Sequence, residues 1–290
     1  MSTPMNAQCY ICHFKRNVER ALTLGSEETA TAFAKELMAL YLSAPSDVSS
    51  PWFGPGVAAL FDKYYHVGRD RYRKEKEDSN RYVMERLSQI RDRVEKAEDP
   101  VYAGLQNAIL GNYIDFAALQ EQVSFEKLDA MLLQAEDIHL DKEVYRQLCA
   151  ELETGKELLY LTDNAGEIGF DRIFAEQIQK KYPHLTITFC VRGGPAQNDA
   201  TREDALAVGI PFPIIDNGNT VAGTQLDQLS EEARQAMERA DVILSKGQGN
   251  AETLLGCGYN IYYAFMVKCQ RFVDLFQKEK LTPMFVREKQ

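Results

Sequence analysis

Apolar positions change their period partway along the chain. Up to about residue 155 they recur every three or four positions, and beyond it they gather in short unbroken runs. Ser26 followed by Glu27 and Glu28 predicts a helix start, because the hydroxyl can cap free amides and the acids suit the positive end of the dipole. Ala30, Phe33, Ala34, Leu37 and Tyr41 then share one helical face. The stretch SAPSDVSSPWFGPG, 43–56, breaks regular structure and is expected to be a long loop, anchored to the core by Trp52 and Phe53. Residues 69–98 interleave ten basic and eight acidic side chains around Val83, Leu87, Ile90 and Val94, the pattern of a solvated helix with one buried seam. Further helices are predicted over 100–110, 124–135 with Ser124 as cap, and 141–152.

From Lys156 the runs ELLYLT, LTITFCV, PFPIID, ADVILS and NIYYAFMV read as buried strands, with helical segments at 167–181 and 230–239 between them. Strand, helix and strand in succession require parallel pairing with right-handed crossovers. The expected fold is α/β: a three-layer α/β/α Rossmann-like domain with a mostly parallel sheet over 154–290, preceded by a helical subdomain over 1–153. A last strand is expected over 283–287.

Composition narrows the function. With 33 Lys and Arg against 43 Asp and Glu, the formal charge of -10 argues against nucleic acid as a partner. The longest apolar stretches, such as Ile261 to Val267, fall well short of the roughly 18 residues of a membrane span. The start, MSTPMNAQ, has neither a cationic nor an apolar signal region, so a cytoplasmic location is expected. Six cysteines do not form a disulfide framework in a chain this long; Cys149, Cys190, Cys257 and Cys269 lie in apolar segments as packed thiols. Cys9 and Cys12 stand at metal-ligand spacing, but no second pair completes a tetrahedral site, so they read as a structural N-terminal turn.

Candidate chemistry collects at three strand ends. The first run leads into Thr162, Asp163, Asn164, Ala165, Gly166 and Glu167; the second into Arg192, Gly193, Gly194 and, further on, Asn198 and Asp199; the fourth into Ser245, Lys246, Gly247, Gln248, Gly249 and Asn250. Singly, Asp163-Asn164 or Asn198-Asp199 would serve as helix caps. Together, two carboxylates and an amide oxygen in the crevice beyond the strand ends make a hard, all-oxygen site suited to Mg²⁺ or Mn²⁺. Lys246 would sit as a point charge beside a phosphate, and the glycines would let backbone amides approach it. None of the four histidines adjoins these motifs along the chain, and neither Gly155-Lys156 nor Gly247-Gln248-Gly249 completes a nucleotide-binding loop. A transferase using S-adenosylmethionine or a nucleotide, and a non-catalytic phosphosugar sensor, stay open as alternatives.

The motifs DNAGE at 163–167, RGGPAQNDAT at 192–201 and SKGQGN at 245–250 resemble those of the damage-control phosphatases, the group known as domain of unknown function 89. The likeness includes the CYIC opening and GNYIDFA at 111–117. It implies a metal-dependent phosphatase acting on small phosphorylated metabolites, sugar phosphates or by-product phosphates among them. Carried onto this chain, it implies one divalent ion, Mg²⁺ or Mn²⁺ with Co²⁺ or Ni²⁺ as variants, on Asp163, Asn164 and Asp199. Catalysis would fall to Asp163, Asp199 and Lys246. Substrate contacts would fall to Gly166, Glu167, Arg192, Gly193, Gly194, Asn198, Lys246, Gly247 and Asn250, with Asn112 and Asp115 bordering the site. Related sequences tend to carry Asp-Pro-Tyr in the helical half where this chain has Asp70, Arg71 and Tyr72, so no substrate contact is carried over to 70–74.

Overall fold

A computed structural model describes residues 3–68, 70–119 and 123–288. The chain opens with α1 (Ala7–Leu24), whose first turn is capped by the Asn6 side chain accepting from Cys9 N. Cys9 and Cys12 therefore lie on a helix, not in the turn expected of them. In α2 (Glu27–Ser43) the Ser26 hydroxyl caps Thr29 N as its position implied. The expected long loop is shorter than 43–56. Ser50–Phe53 forms a 3-10 turn and α3 (Gly54–Tyr65) starts at Gly54, because Pro55 in a first helical turn forfeits no intrahelical hydrogen bond. Phe53 is fully buried edge-on against Tyr41, with ring centroids 5.1 Å apart.

Next come α4 (Arg73–Lys96), α5 (Pro100–Gly111), α6 (Phe116–Leu119), α7 (Phe125–Leu133) and α8 (Lys142–Thr154). Val83, Leu87, Ile90 and Val94 form the buried seam of α4, each at most 3% exposed. Burial on that scale stabilises by about 1.5–3 kcal/mol per side chain.

The second half alternates β1 (Glu157–Leu161), α9 (Glu167–Lys181), β2 (Thr186–Val191), α10 (Arg202–Ala207), β3 (Ile214–Asp216), α11 (Glu231–Arg239), β4 (Val242–Lys246), α12 (Gln248–Leu254), β5 (Ile261–Met266), α13 (Gln270–Phe276) and β6 (Pro283–Arg287). The sheet has six strands in the order β3-β2-β1-β4-β5-β6, parallel except for β6, which runs antiparallel to β5. Alternate strand residues feed two cores. Leu158, Tyr160, Phe189 and Leu244 pack against α4, α5 and α9, while Leu159, Leu161, Ile243 and Tyr263 pack against α11, α12 and α13. The three layers expected of the fold are present. The first core runs from Tyr82 to Phe285 and so spans both halves of the chain, whereas α1, α2 and α3 enclose a separate cluster around Phe33, Phe53 and Phe61. No helix among the described residues is long and apolar enough to cross a membrane.

From β1 the chain builds outward to β2 and β3, then returns to place β4 and β5 on the other side. The strand order thus reverses between β1 and β4, and a crevice opens beyond their carboxyl ends.

Candidate active site

Asp163 and Asn164 follow β1 after the single residue Thr162, and a backbone bridge joins Asn164 to Asp199 from the loop after β2. Ala200 N donates to Asp163 O at 2.6 Å and Ala165 N to Asn198 O at 2.9 Å, so the two loops are laced together. Neither pair is spent on capping. The residue before α9 is Gly166, without a side-chain cap, and α10 is capped by a box of Thr201 and Asp204. Two acids that are 36 positions apart along the chain thereby meet at one rim.

A chain of hydrogen bonds fixes how the amides point. Ala117 N can only donate, so it sets Asn198 Oδ1 as its acceptor at 3.1 Å. Asn198 Nδ2 then donates to Asn164 Oδ1 at 2.7 Å, and Asn164 Nδ2 donates to Asp163 Oδ2 and Glu167 Oε2, both at 2.7 Å. On the other side Met266 N fixes Asn112 Oδ1 at 3.0 Å, which turns Asn112 Nδ2 toward Asp163 Oδ2 at 2.9 Å and toward Glu167. Arg192 Nε donates to Asp199 Oδ2 at 2.7 Å, while its Nη2 lies 3.9 Å from Asp163 Oδ1, beyond hydrogen-bond reach. One oxygen of each carboxylate is therefore committed to protein donors.

The acids are held at high electrostatic cost. Burial, then Asp199 and Glu167, push the Asp163 carboxyl well above the usual carboxylate range. Burial raises Asp199 to about 6 against the opposing pull of Arg192. Gly247 makes room for this arrangement: at φ +80, an added Cβ would stand 2.0 Å from Asp163 Oδ2.

Of the metal, catalytic and substrate residues that the resemblance implied, Asp115, Asp163, Asn164 and Asp199 line the crevice, which has a volume of about 430 Å³ and is also walled by Gln248, Gly249, Cys9 and Cys12. The others stand behind it. Lys246 is fully buried and gives its protons to Ala108 O (2.8 Å), Glu167 Oε1 (2.5 Å) and Asp171 Oδ1 (2.8 Å), so none is left for a phosphate in the crevice. Burial alone would lower its pKa, but Asp171 and Glu167 outweigh it and hold the ammonium charged. Glu167, Arg192, Asn198, Asn250 and Asn112 are likewise buried, at most 2% exposed. Asn250 links the loops by donating to Thr162 O at 2.9 Å and accepting from Arg192 Nη2 at 3.1 Å. Gly166 packs on Ser79, and Gly193 and Gly194 pack on the 218–220 segment, away from the crevice wall.

Sequence reasoning missed other walls. His13 and Arg16 reach the crevice from α1, and Lys268, after β5, pairs there with Asp115 Oδ2 at 2.6 Å. His13 belongs to the crevice although no histidine adjoins its motifs along the chain. Behind the rim, Asn80 and Lys76 of α4 grip Asp204 at 2.9 and 2.6 Å, and Asn80 Oδ1 accepts from Gly166 N at 2.7 Å.

The sequence profile of the damage-control phosphatase ARMT1-like domain matches residues 5–282. The chain belongs to the damage-control phosphatase family. An uncharacterized protein of Methanocaldococcus jannaschii is 32% identical over 285 residues, covering 93% of this chain and 90% of its own. A damage-control phosphatase of Archaeoglobus fulgidus is 33% identical over 205 residues, 69% of this chain and 70% of its own. In three dimensions, the crystal structure of a DUF89 family protein from Pyrococcus horikoshii superposes with a TM-score of 0.79 at 24% identity, covering 99% of both chains. That likeness speaks for the fold. The family is one of metal-dependent phosphatases. Among the described residues no group of three His, Cys, Asp or Glu side chains is arranged to hold a metal, so a site here needs the amide oxygen of Asn164 as its third donor. The donor set fits a hard divalent cation, which would also relieve the mutual repulsion of the buried acids.

Proposed function

We propose that the protein is a metal-dependent phosphomonoester hydrolase acting on small phosphorylated metabolites, with the crevice beyond β1 and β4 as its active site. The observation that carries this reading is the meeting of Asp163, Asn164 and Asp199 at one rim, locked by the 164–199 bridge. The uncommitted oxygens of Asp163 and Asp199, with the second lone pair of the Asn164 Oδ1 that accepts from Asn198, would hold one divalent ion, Mg²⁺ or Mn²⁺ first and Co²⁺ or Ni²⁺ as substitutes. Such an ion supplies Lewis-acid polarisation of the phosphoryl group.

The chain's own residues do the rest by positioning and charge. Lys268 lines the crevice near enough to act on the Asp163 charge, and it takes the phosphate contact that sequence assigned to Lys246. Asp115 holds the Lys268 ammonium in place. Arg192 fixes the Asp199 carboxylate, and Asn112 with Asn164 fixes that of Asp163. Lys246 acts one layer back: it neutralises Glu167 and Asp171, which keeps Glu167 an acceptor for both amides. The test is release of phosphate from p-nitrophenyl phosphate and a panel of sugar monophosphates with each of the four metals. Activity should vanish with chelator, and Asp163→Ala or Asp199→Ala should lower kcat/KM by at least about a hundredfold. Undiminished turnover in both variants would refute the assignment.

A further inference from the structure

A second recess opens from the crevice on the side of α1. Its volume is about 20 Å³, and it shares His13, Arg16, Ala117 and Gln197 with the larger cavity as common walls. Arg16 and Arg20 lie one turn apart on the same face of α1, and Arg71 enters from the segment before α4. Among the described residues, no aspartate or glutamate lines the recess. In a chain with a formal charge of -10, that concentration of unmatched cations stands out.

The guanidinium groups are held without being neutralised. Arg16 Nη1 donates to Ala117 O at 3.2 Å and Arg20 Nη1 to the Tyr72 hydroxyl at 2.8 Å. Arg20 and Arg71 both stack over the Phe61 and Tyr72 rings, 4.9 to 5.5 Å from the centroids. Arg71 Nη1 is buried and has no hydrogen-bond partner. Burial and the neighbouring Arg20 and Arg16 lower the pKa of Arg71, with only Tyr72 opposing them. Burial, Arg16 and Arg71 depress His13 to about 3, so it stays neutral at ordinary pH and adds no further positive charge. At the junction of the two cavities Gln197 adopts φ +55, a left-handed conformation that a non-glycine residue keeps only where its surroundings enforce it.

A guanidinium with a buried, unpartnered Nη1, set among other guanidiniums, is complementary to an oxyanion. We propose that this recess receives a second anionic group of the substrate, so that the preferred ligands are small phosphomonoesters carrying a further phosphate or a carboxylate. The recess has room for about one or two oxygens of such a group and for no ring. The inference rests on the phosphatase reading for the position of the first phosphate.

Two pairs of compounds test it: 3-phosphoglycerate against glycerol 3-phosphate, which differ by a carboxylate, and fructose 1,6-bisphosphate against fructose 6-phosphate, which differ by a phosphate. The wild-type protein should favour the doubly anionic member of at least one pair by tenfold or more in kcat/KM, mainly through KM. The pair that shows the preference identifies the second anion. Arg71→Met should reduce the ratio below threefold, and Arg71→Lys should keep part of it; Arg20→Met serves if Arg71→Met does not fold. No preference in either pair, or one that survives both methionine variants, overturns the proposal. If none of the four compounds is hydrolysed with any metal, the recess is read by binding instead, and the phosphatase reading fails only if p-nitrophenyl phosphate and the sugar monophosphates are also left intact. Calorimetric titration of the protein in chelator with the same compounds then decides the recess. Tenfold tighter binding of a doubly anionic member, lost in Arg71→Met, upholds it, and equal binding overturns it.

Discussion

Replacing Gly247 by alanine perturbs the account at its tightest point. The new Cβ would lie 2.0 Å from both Cγ and Oδ2 of Asp163, whereas unstrained carbon contacts need about 3.5 Å. The carboxylate must therefore retreat by roughly 1.5 Å, out of reach of Asn112 Nδ2 and Asn164 Nδ2, now 2.9 and 2.7 Å away. A displacement of about 1 Å at a reacting centre costs about a hundredfold in rate. The left-handed backbone adds about 1–2 kcal/mol for alanine, and weakened hydrogen bonds to a buried carboxylate add about 1.5–3 kcal/mol. The sum of roughly 3–5 kcal/mol should lower the melting temperature by roughly 5–15 °C. Gly258→Ala is the control, because its φ of +86 is also positive and nothing lies within 4 Å of the new Cβ. Phosphate-release kinetics and thermal melts of both variants give the answer. Gly247→Ala should lose at least about a hundredfold in kcat/KM while Gly258→Ala keeps its turnover. Turnover within threefold of wild type in Gly247→Ala would refute the claim that this glycine sets the position of Asp163.

Lys246→Met should be a stability variant: it strands two buried carboxylates and should cost about 3–5 kcal/mol in urea unfolding, partly recovered by adding Asp171→Asn. A raised KM with unchanged stability would instead mark Lys246 as a phosphate contact. Asn112→Leu removes a donor shared by Asp163 and Glu167, so kcat should fall about tenfold or more, as read by phosphate release; unchanged kcat would show that Met266, Asn112 and Asp163 do not act as a chain. His13 gives a pH dependence. Its folded pKa of about 3 lies below the unfolded 6.5, so its contribution to stability is complete above 6.5 and is lost as pH falls toward 3. Between pH 7 and 5 the loss should be roughly 2 kcal/mol, and urea unfolding of His13→Gln should show a correspondingly flatter pH profile; identical slopes would contradict it.

What was legible in the sequence follows from locality. The change from helical to strand periodicity placed all six strands, because burial of a parallel sheet on both faces forces apolar runs. The meeting of Asp163, Asn164 and Asp199 was legible because they stand on the loops after the adjacent strands β1 and β2, where the fold itself dictates proximity. Lys246 was misread for a reason the pattern contains. As the last residue of β4 its side chain leaves the face opposite to Ser245, toward α9, where Glu167 and Asp171 stand four residues apart on one face and accept it. His13, Arg16, Arg71 and Lys268 were out of reach, since their place depends on how α1 and the segment before α4 pack across the sheet's end, and no local spacing encodes that packing.

In the proposed active site Asp163, Asn164 and Asp199 would together hold one divalent ion. Calorimetric titration of the purified protein with Mn²⁺ tests it most directly, beside Asp199→Asn and Asn164→Leu. The account predicts a single ion per chain for the wild type and binding weakened at least about tenfold in each variant. Equal affinity and stoichiometry in all three proteins would contradict it.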